Sequence, residues 1–155
     1  MTAESDTERT RQTIFRIMQE TAFARALDMT LVSAAAGVAV LKIPYQEKLV
    51  GNPDTGIVHG GVITSLLDHT LGCAVFSALE TLELIATLDL RIDYMRAAEP
   101  GRDIFAHAAV TKIATSIAFA SGTAYHDEPG DPIATSTAAF MIVTDNGRKA
   151  GASRG

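Results

Sequence analysis

Cysteine, tryptophan and basic charge are all scarce in these 155 residues: one Cys, no Trp, and 13 Lys plus Arg against 18 Asp plus Glu, a net charge of -5. A lone Cys73 can close no intramolecular disulfide, which fits a reducing cytoplasm and leaves stability to packing. The acidic balance offers no basic face for phosphate backbones, so nucleic acid is not expected as a partner. The first residues are polar and acidic where a signal peptide would be basic and then apolar, so secretion is not expected. No Cys/His cluster has metal-ligand spacing, so no metal is expected. Strands and helices do not alternate, which argues against a parallel α/β sheet.

What is present is enough for one core. With 47% hydrophobic and 20% charged residues, the chain reads as a single domain over 1–155, its ends at 1–6 and 146–155 expected to be disordered. The long apolar run Val62 to Leu79 is apolar or small on every side, which predicts a helix enclosed by other structure. Its length approaches that of a membrane span. Asp68, His69 and small polar residues interrupt it, so the expectation is a core helix and no membrane.

Asp68 breaks the pattern, and a carboxylate there needs a partner or a cleft. Helical spacing puts Gly61, Thr64, Ser65, Asp68 and Gly72 on one stripe, while His69 faces away and Cys73 reads as core. Gly60 and Gly61 allow close approach at the helix start. The unpaired N–H groups of the first turn, with the helix dipole, favour a developing negative oxygen. A carboxylate and an oxyanion site on one element make an acyl-transfer layout.

Along the chain, residues 7–26 place Ile14, Phe15, Met18, Ala22 and Ala26 at helical spacing and predict an amphipathic helix. Leu27 to Tyr45 predicts a hairpin turning at Ala34–Gly37, and Gln46 to Val58 reads as a loop. After the long helix, strict alternation from Thr81 to Met95 turns Leu84, Ala86, Leu88, Leu90, Ile92 and Tyr94 one way and Thr87, Asp89, Arg91 and Asp93 the other. Three more strands follow, at 103–114, 116–126 and 132–144. The fold class is therefore α+β, an antiparallel sheet wrapped around one long central helix, with an N-terminal helix; its sheet edges call for pairing in at least a dimer.

This order, the run Asn52-Pro-Asp-Thr-Gly-Ile-Val-His-Gly-Gly-Val-Ile-Thr-Ser-Leu-Leu-Asp68 and the strand Ala86-Thr-Leu-Asp-Leu-Arg-Ile-Asp-Tyr-Met-Arg96 together resemble the hotdog-fold PaaI-like acyl-CoA thioesterases. The resemblance implies hydrolysis of acyl-CoA to free acid and CoA, at sites shared between subunits of a homodimer or tetramer. Asp68 matches the catalytic nucleophile or general base, and Gly60 the residue whose N–H polarises the thioester carbonyl, with His59 beside it. Asn52 matches a residue that positions water or thioester, and Thr87 a hydroxyl on the strand after the helix.

Gly61 and Ser65 on the Asp68 stripe are candidate substrate contacts, and Arg91, Arg96, Arg102 and Lys112 are candidate cations for the CoA phosphates. Phe76, Leu79, Phe105 and Phe119 are candidates to close an acyl tunnel. No cofactor is expected, since CoA is part of the substrate and a thioester carries a good leaving group. Two alternatives stand beside hydrolysis. One is a non-catalytic acyl-CoA-binding module; the other is a hotdog dehydratase or hydratase, which needs a His paired with a carboxylate.

Overall fold

The computed structural model describes residues 8, 9, 12, 13, 15, 16, 18–81 and 83–143. The ends expected to be disordered, and Ile14, lie outside the described residues. The described positions among 8–19 are helical, but the helix expected through 26 breaks at Thr21, whose backbone is extended (φ -59, ψ 144) and whose side chain accepts from Ala24 N–H to start a short helix α1, Ala22–Ala26. The break changes the buried face: Phe15 and Ala24 are buried, whereas Ala22 and Ala26 are exposed. Thr21 does what a β-branched hydroxyl residue favours, capping a helix rather than continuing one.

Strands β1 (Thr30–Ala35) and β2 (Val38–Ile43) form the expected hairpin, turned by Ala36 and Gly37 at positive φ, the geometry of a tight hairpin turn. The stretch read as a loop contains a 3-10 turn, Glu47–Leu49, and a small hairpin of β3 (Val50–Asn52) and β4 (Ile57–Val58). Helix α2 (Gly60–Ala78) follows, then β5 (Leu84–Tyr94), β6 (Ile104–Ile113), β7 (Ile117–Tyr125) and β8 (Ala134–Val143). Six strands make one antiparallel sheet in the order β1-β2-β6-β7-β8-β5. Both β1 and β5 are edges among the described residues.

Helix α2 lies across β2, β6 and β7. The sheet face beneath it is paved with small side chains: Ala39, Ala106, Ala108, Ala118, Ala120, Ala124, Ala134 and Ala138 are all buried. The helix supplies the bulk, through Ile63, Leu66, Leu67, Leu71 and Val75. Gly122 lets it sit this close, because a Cβ there would come within 3.4 Å of Leu71 Cδ2 and 3.1 Å of the His107 carbonyl oxygen. By length and composition the helix could cross a membrane, but most of it is buried inside the protein, packed on the sheet.

The two buried hydroxyls on α2 are bonded, as burial requires. Thr70 donates to the Leu66 carbonyl, while Ser77 donates to Ala74 and accepts from Gly37 N–H at 2.8 Å, tying the β1–β2 turn to the helix end. Leu71 is fully buried at the centre of this packing. Leu71→Ala is expected to lower unfolding free energy by about 2–5 kcal/mol, read from urea denaturation.

Candidate functional site

The strand β5 decides what faces Asp68. Its register with β8 shifts between Thr87 and Asp89, leaving Leu88 as a bulge. A bulge inserts one extra residue and so reverses which face later side chains occupy. Upstream of it, Ile85 and Thr87 face the helix: Ile85 Cδ1 lies beside Gly72, and Thr87 Oγ1 donates to Asp68 Oδ1 at 2.9 Å. Downstream, Leu90 and Ile92 pack on the core and Tyr94 reaches the helix start. The strict alternation read from the sequence, with Thr87 opposite Leu90, Ile92 and Tyr94, is thereby corrected. Leu88 itself is 54% exposed.

Asp68 is half-buried, and among the described residues Thr87 is its only side-chain hydrogen-bond partner, leaving Oδ2 open. The carboxylate is held in one orientation by a strand hydroxyl and still presents a lone pair outward. His69, one residue on, turns away: burial lowers its pKa, against the smaller opposing effects of a hydrogen bond to the Met18 backbone and the Asp68 charge. Its Nε2 is buried without a partner among the described residues. Cys73 packs in the core beside Met18, and burial pushes its thiol up to about 12, so it is no nucleophile.

At the helix start, His59 is the N-cap, and its Nδ1 accepts from Gly61 N–H at 2.9 Å. The His59 carbonyl accepts from Val62 N–H at 3.0 Å. The Gly60 N–H has no acceptor among the described residues. The β3–β4 hairpin delivers His59 here, and Gly51 is what permits the approach, since a Cβ on it would lie 2.8 Å from His59 Cα. Asn52 is exposed, its Oδ1 accepting from Asp54 N–H, so its carbonyl oxygen serves its own turn and its amide nitrogen remains. Gly61 and Ser65 offer no spare donor: the first gives its N–H to His59, and the second donates to the Gly61 carbonyl at 2.8 Å.

Asp68 and Gly60 are therefore both open but not together. Their separation of eight positions makes about 12 Å of helix rise, too far for one carbonyl to touch both within a protomer. The candidate cations are also dispersed. Arg91 is exposed on β5 and paired with Asp93; Arg96 binds Asp131 at 2.9 Å and Glu99 at 3.7 Å; Lys112 lies on β6, three strands from β5, about 14 Å across the sheet. Phe105 and Phe119 do not reach the helix at all. Their register puts them on the outer face, where Phe105 stacks on Tyr125 and Phe119 is 42% exposed.

Two features were missed by sequence reasoning. Tyr94 donates to the Gly60 carbonyl at 2.7 Å and meets Thr64 Oγ1 at 2.6 Å; the Tyr-Met-Arg motif contained it, but without the bulge no signal aimed it at the helix start. The other is an open groove of about 400 Å³ whose apolar lining is Phe23, Leu27, Leu49, Val50 and Val62, running beside Gly61 and Ser65.

The His69 shift has a sign that can be read. Unfolded, His69 titrates near its ordinary 6.5; below that pH the unfolded chain binds a proton that the buried imidazole resists, so this contribution is complete above about pH 6.5 and is lost as the pH falls. The urea midpoint of wild type is expected to drop between about pH 7 and pH 5.5, and that of His69→Gln to drop less.

The model of the thioesterase superfamily matches residues 55–133. YigI, a medium/long-chain acyl-CoA thioesterase of Escherichia coli, is 33% identical over 135 residues, 77% of this chain and 84% of that one. A Halobacterium salinarum protein named as an esterase is 37% identical over 97 residues, and the chain spans 63% of its length and matches with 61% of its own. A Pseudomonas aeruginosa crystal structure is 39% identical with a TM-score of 0.76, over 88% of this chain and 98% of that one. The E. coli PaaI structure, at 19% identity and a TM-score of 0.77 over 89% and 96%, shares the fold. The enclosed helix, the antiparallel sheet and these matches together place the chain in the thioesterase superfamily, with a PaaI-like hotdog fold.

Proposed function

We propose that the protein hydrolyses acyl-coenzyme A thioesters in a homodimer whose sites each combine Asp68 and Thr87 of one protomer with the helix start of the other. The observation that carries this reading is the Asp68 carboxylate, fixed on one oxygen by Thr87 and open on the other. The open oxygen attacks the thioester carbonyl or takes the proton of the water that does. The carbonyl oxygen becomes an oxyanion against the Gly60 N–H of the second copy, the C–S bond breaks, and CoA leaves as its thiolate; where Asp68 itself attacked, a water then cleaves the acyl–Asp68 anhydride to release the free acid and restore the carboxylate.

The 12 Å gap within a protomer supports a shared site, and the unpaired edge of β5, with Thr87 upon it, is where a second copy would pair. The Phe23–Val62 groove suits an aliphatic acyl chain, in keeping with the substrates that YigI's name gives for that protein. The chemistry proposed here draws only on protein groups, water and a substrate with a good leaving group. The lone, unreactive Cys73 suits a cytoplasmic enzyme.

Thiol release from a panel of acyl- and aryl-CoA thioesters tests the activity, and Asp68→Asn is expected to lower it at least about 100-fold. Saturable binding without release would instead favour a binding module. Subunit sharing has its own test in Gly60→Pro, which deletes the donor at the first helical position, where proline is well tolerated. Each variant alone should be inactive, and co-expression of Gly60→Pro with Asp68→Asn should restore turnover. Failure of the mixed dimers to recover would overturn the pairing of Asp68 with the partner's helix start.

A further inference from the structure

The His59–Gly60–Gly61 turn has one open donor because its other polar groups are held. Val62 N–H holds the His59 carbonyl and the His59 ring holds the Gly61 N–H. The Gly60 carbonyl is held from outside the helix, by the Tyr94 hydroxyl at 2.7 Å. With the phenol proton committed to Gly60, Thr64 supplies the donor in its 2.6 Å contact with the Tyr94 oxygen. The phenol thus bridges the first turn of α2 to the last residue of β5. Its ring also lies against Gly60, where a Cβ would come within 3.4–3.6 Å of the phenol.

We infer that Tyr94 is a positioning residue for the oxyanion donor: it holds the Gly60–Gly61 peptide on one side of the Gly60 Cα while Val62 N–H holds the His59–Gly60 peptide on the other, so that Gly60 cannot rotate and its N–H keeps a constant direction; the inference rests on the hydrolysis reading above. Two consecutive glycines give this turn more backbone freedom than any other pair could. An oxyanion donor is effective only if its direction is set before charge develops. Without the phenol, the Gly60 carbonyl keeps only its helical bond and the peptide can tilt. The bulge at Leu88 makes the arrangement attainable, since it lets one strand present Thr87 to the carboxylate and Tyr94 to the helix start.

The experiment is steady-state kinetics on Tyr94→Phe and Thr64→Val, with an acyl-CoA that wild type hydrolyses and with the matching acyl-CoA thioether, which has no carbonyl to polarise. Tyr94→Phe is expected to lower kcat about tenfold with KM and thioether affinity unchanged, and Thr64→Val to give a smaller loss in the same direction. A merely structural anchor would lower thioether affinity in parallel, and that result overturns the inference, as does an unchanged kcat. Wild-type turnover with Asp68→Asn dead and Tyr94→Phe intact overturns this inference alone. Absence of wild-type turnover overturns the hydrolysis reading and this inference with it.

Discussion

A helix apolar on nearly every side is stable in water only when something encloses it, and here the enclosure is a sheet whose facing side chains are mostly alanine. Small residues below and large ones above bring the helix axis close and lock its rotation. Once the rotation is locked, the stripe carrying Thr64, Asp68 and Gly72 has only one direction left, toward β5. Every polar feature of the site is downstream of that constraint. The carboxylate is set by where the leucines go.

The same logic divides the chemistry between the two ends of the first helical half. At the N-terminus, the His59 ring and carbonyl hold the Gly61 and Val62 N–H groups and leave the Gly60 N–H without an acceptor among the described residues. At the middle, Thr87 consumes one carboxylate oxygen and leaves the other. Both ends show the same economy, in which local partners satisfy all but one group and the remaining one is free for a ligand.

The large elements were legible because their signals are strong and local. The enclosed helix showed in its lack of a polar face, the last four strands in their apolar runs between turn residues, and the β1–β2 turn in Gly37. Asp68 was legible as the one charge out of place. Part of what escaped reading depends on neighbours distant in sequence. The Leu88 bulge exists only relative to β8, and no alternation within β5 reveals it. The helix break at Thr21 looks from sequence like one more polar position in an amphipathic pattern. Strands of three and two residues, as in β3 and β4, are too short to carry a period. The outward turn of Phe105 and Phe119 follows from register, which composition does not contain.

The bulge has a corollary for how β5 can vary. Side-chain parity before Leu88 is tied to the carboxylate, and parity after it to the first helical turn. Removing or adding one residue on either half would swap inside for outside there while sparing the other half. Length in this strand is therefore held more tightly than identity: a substitution alters one contact, whereas an insertion re-addresses a whole row of them.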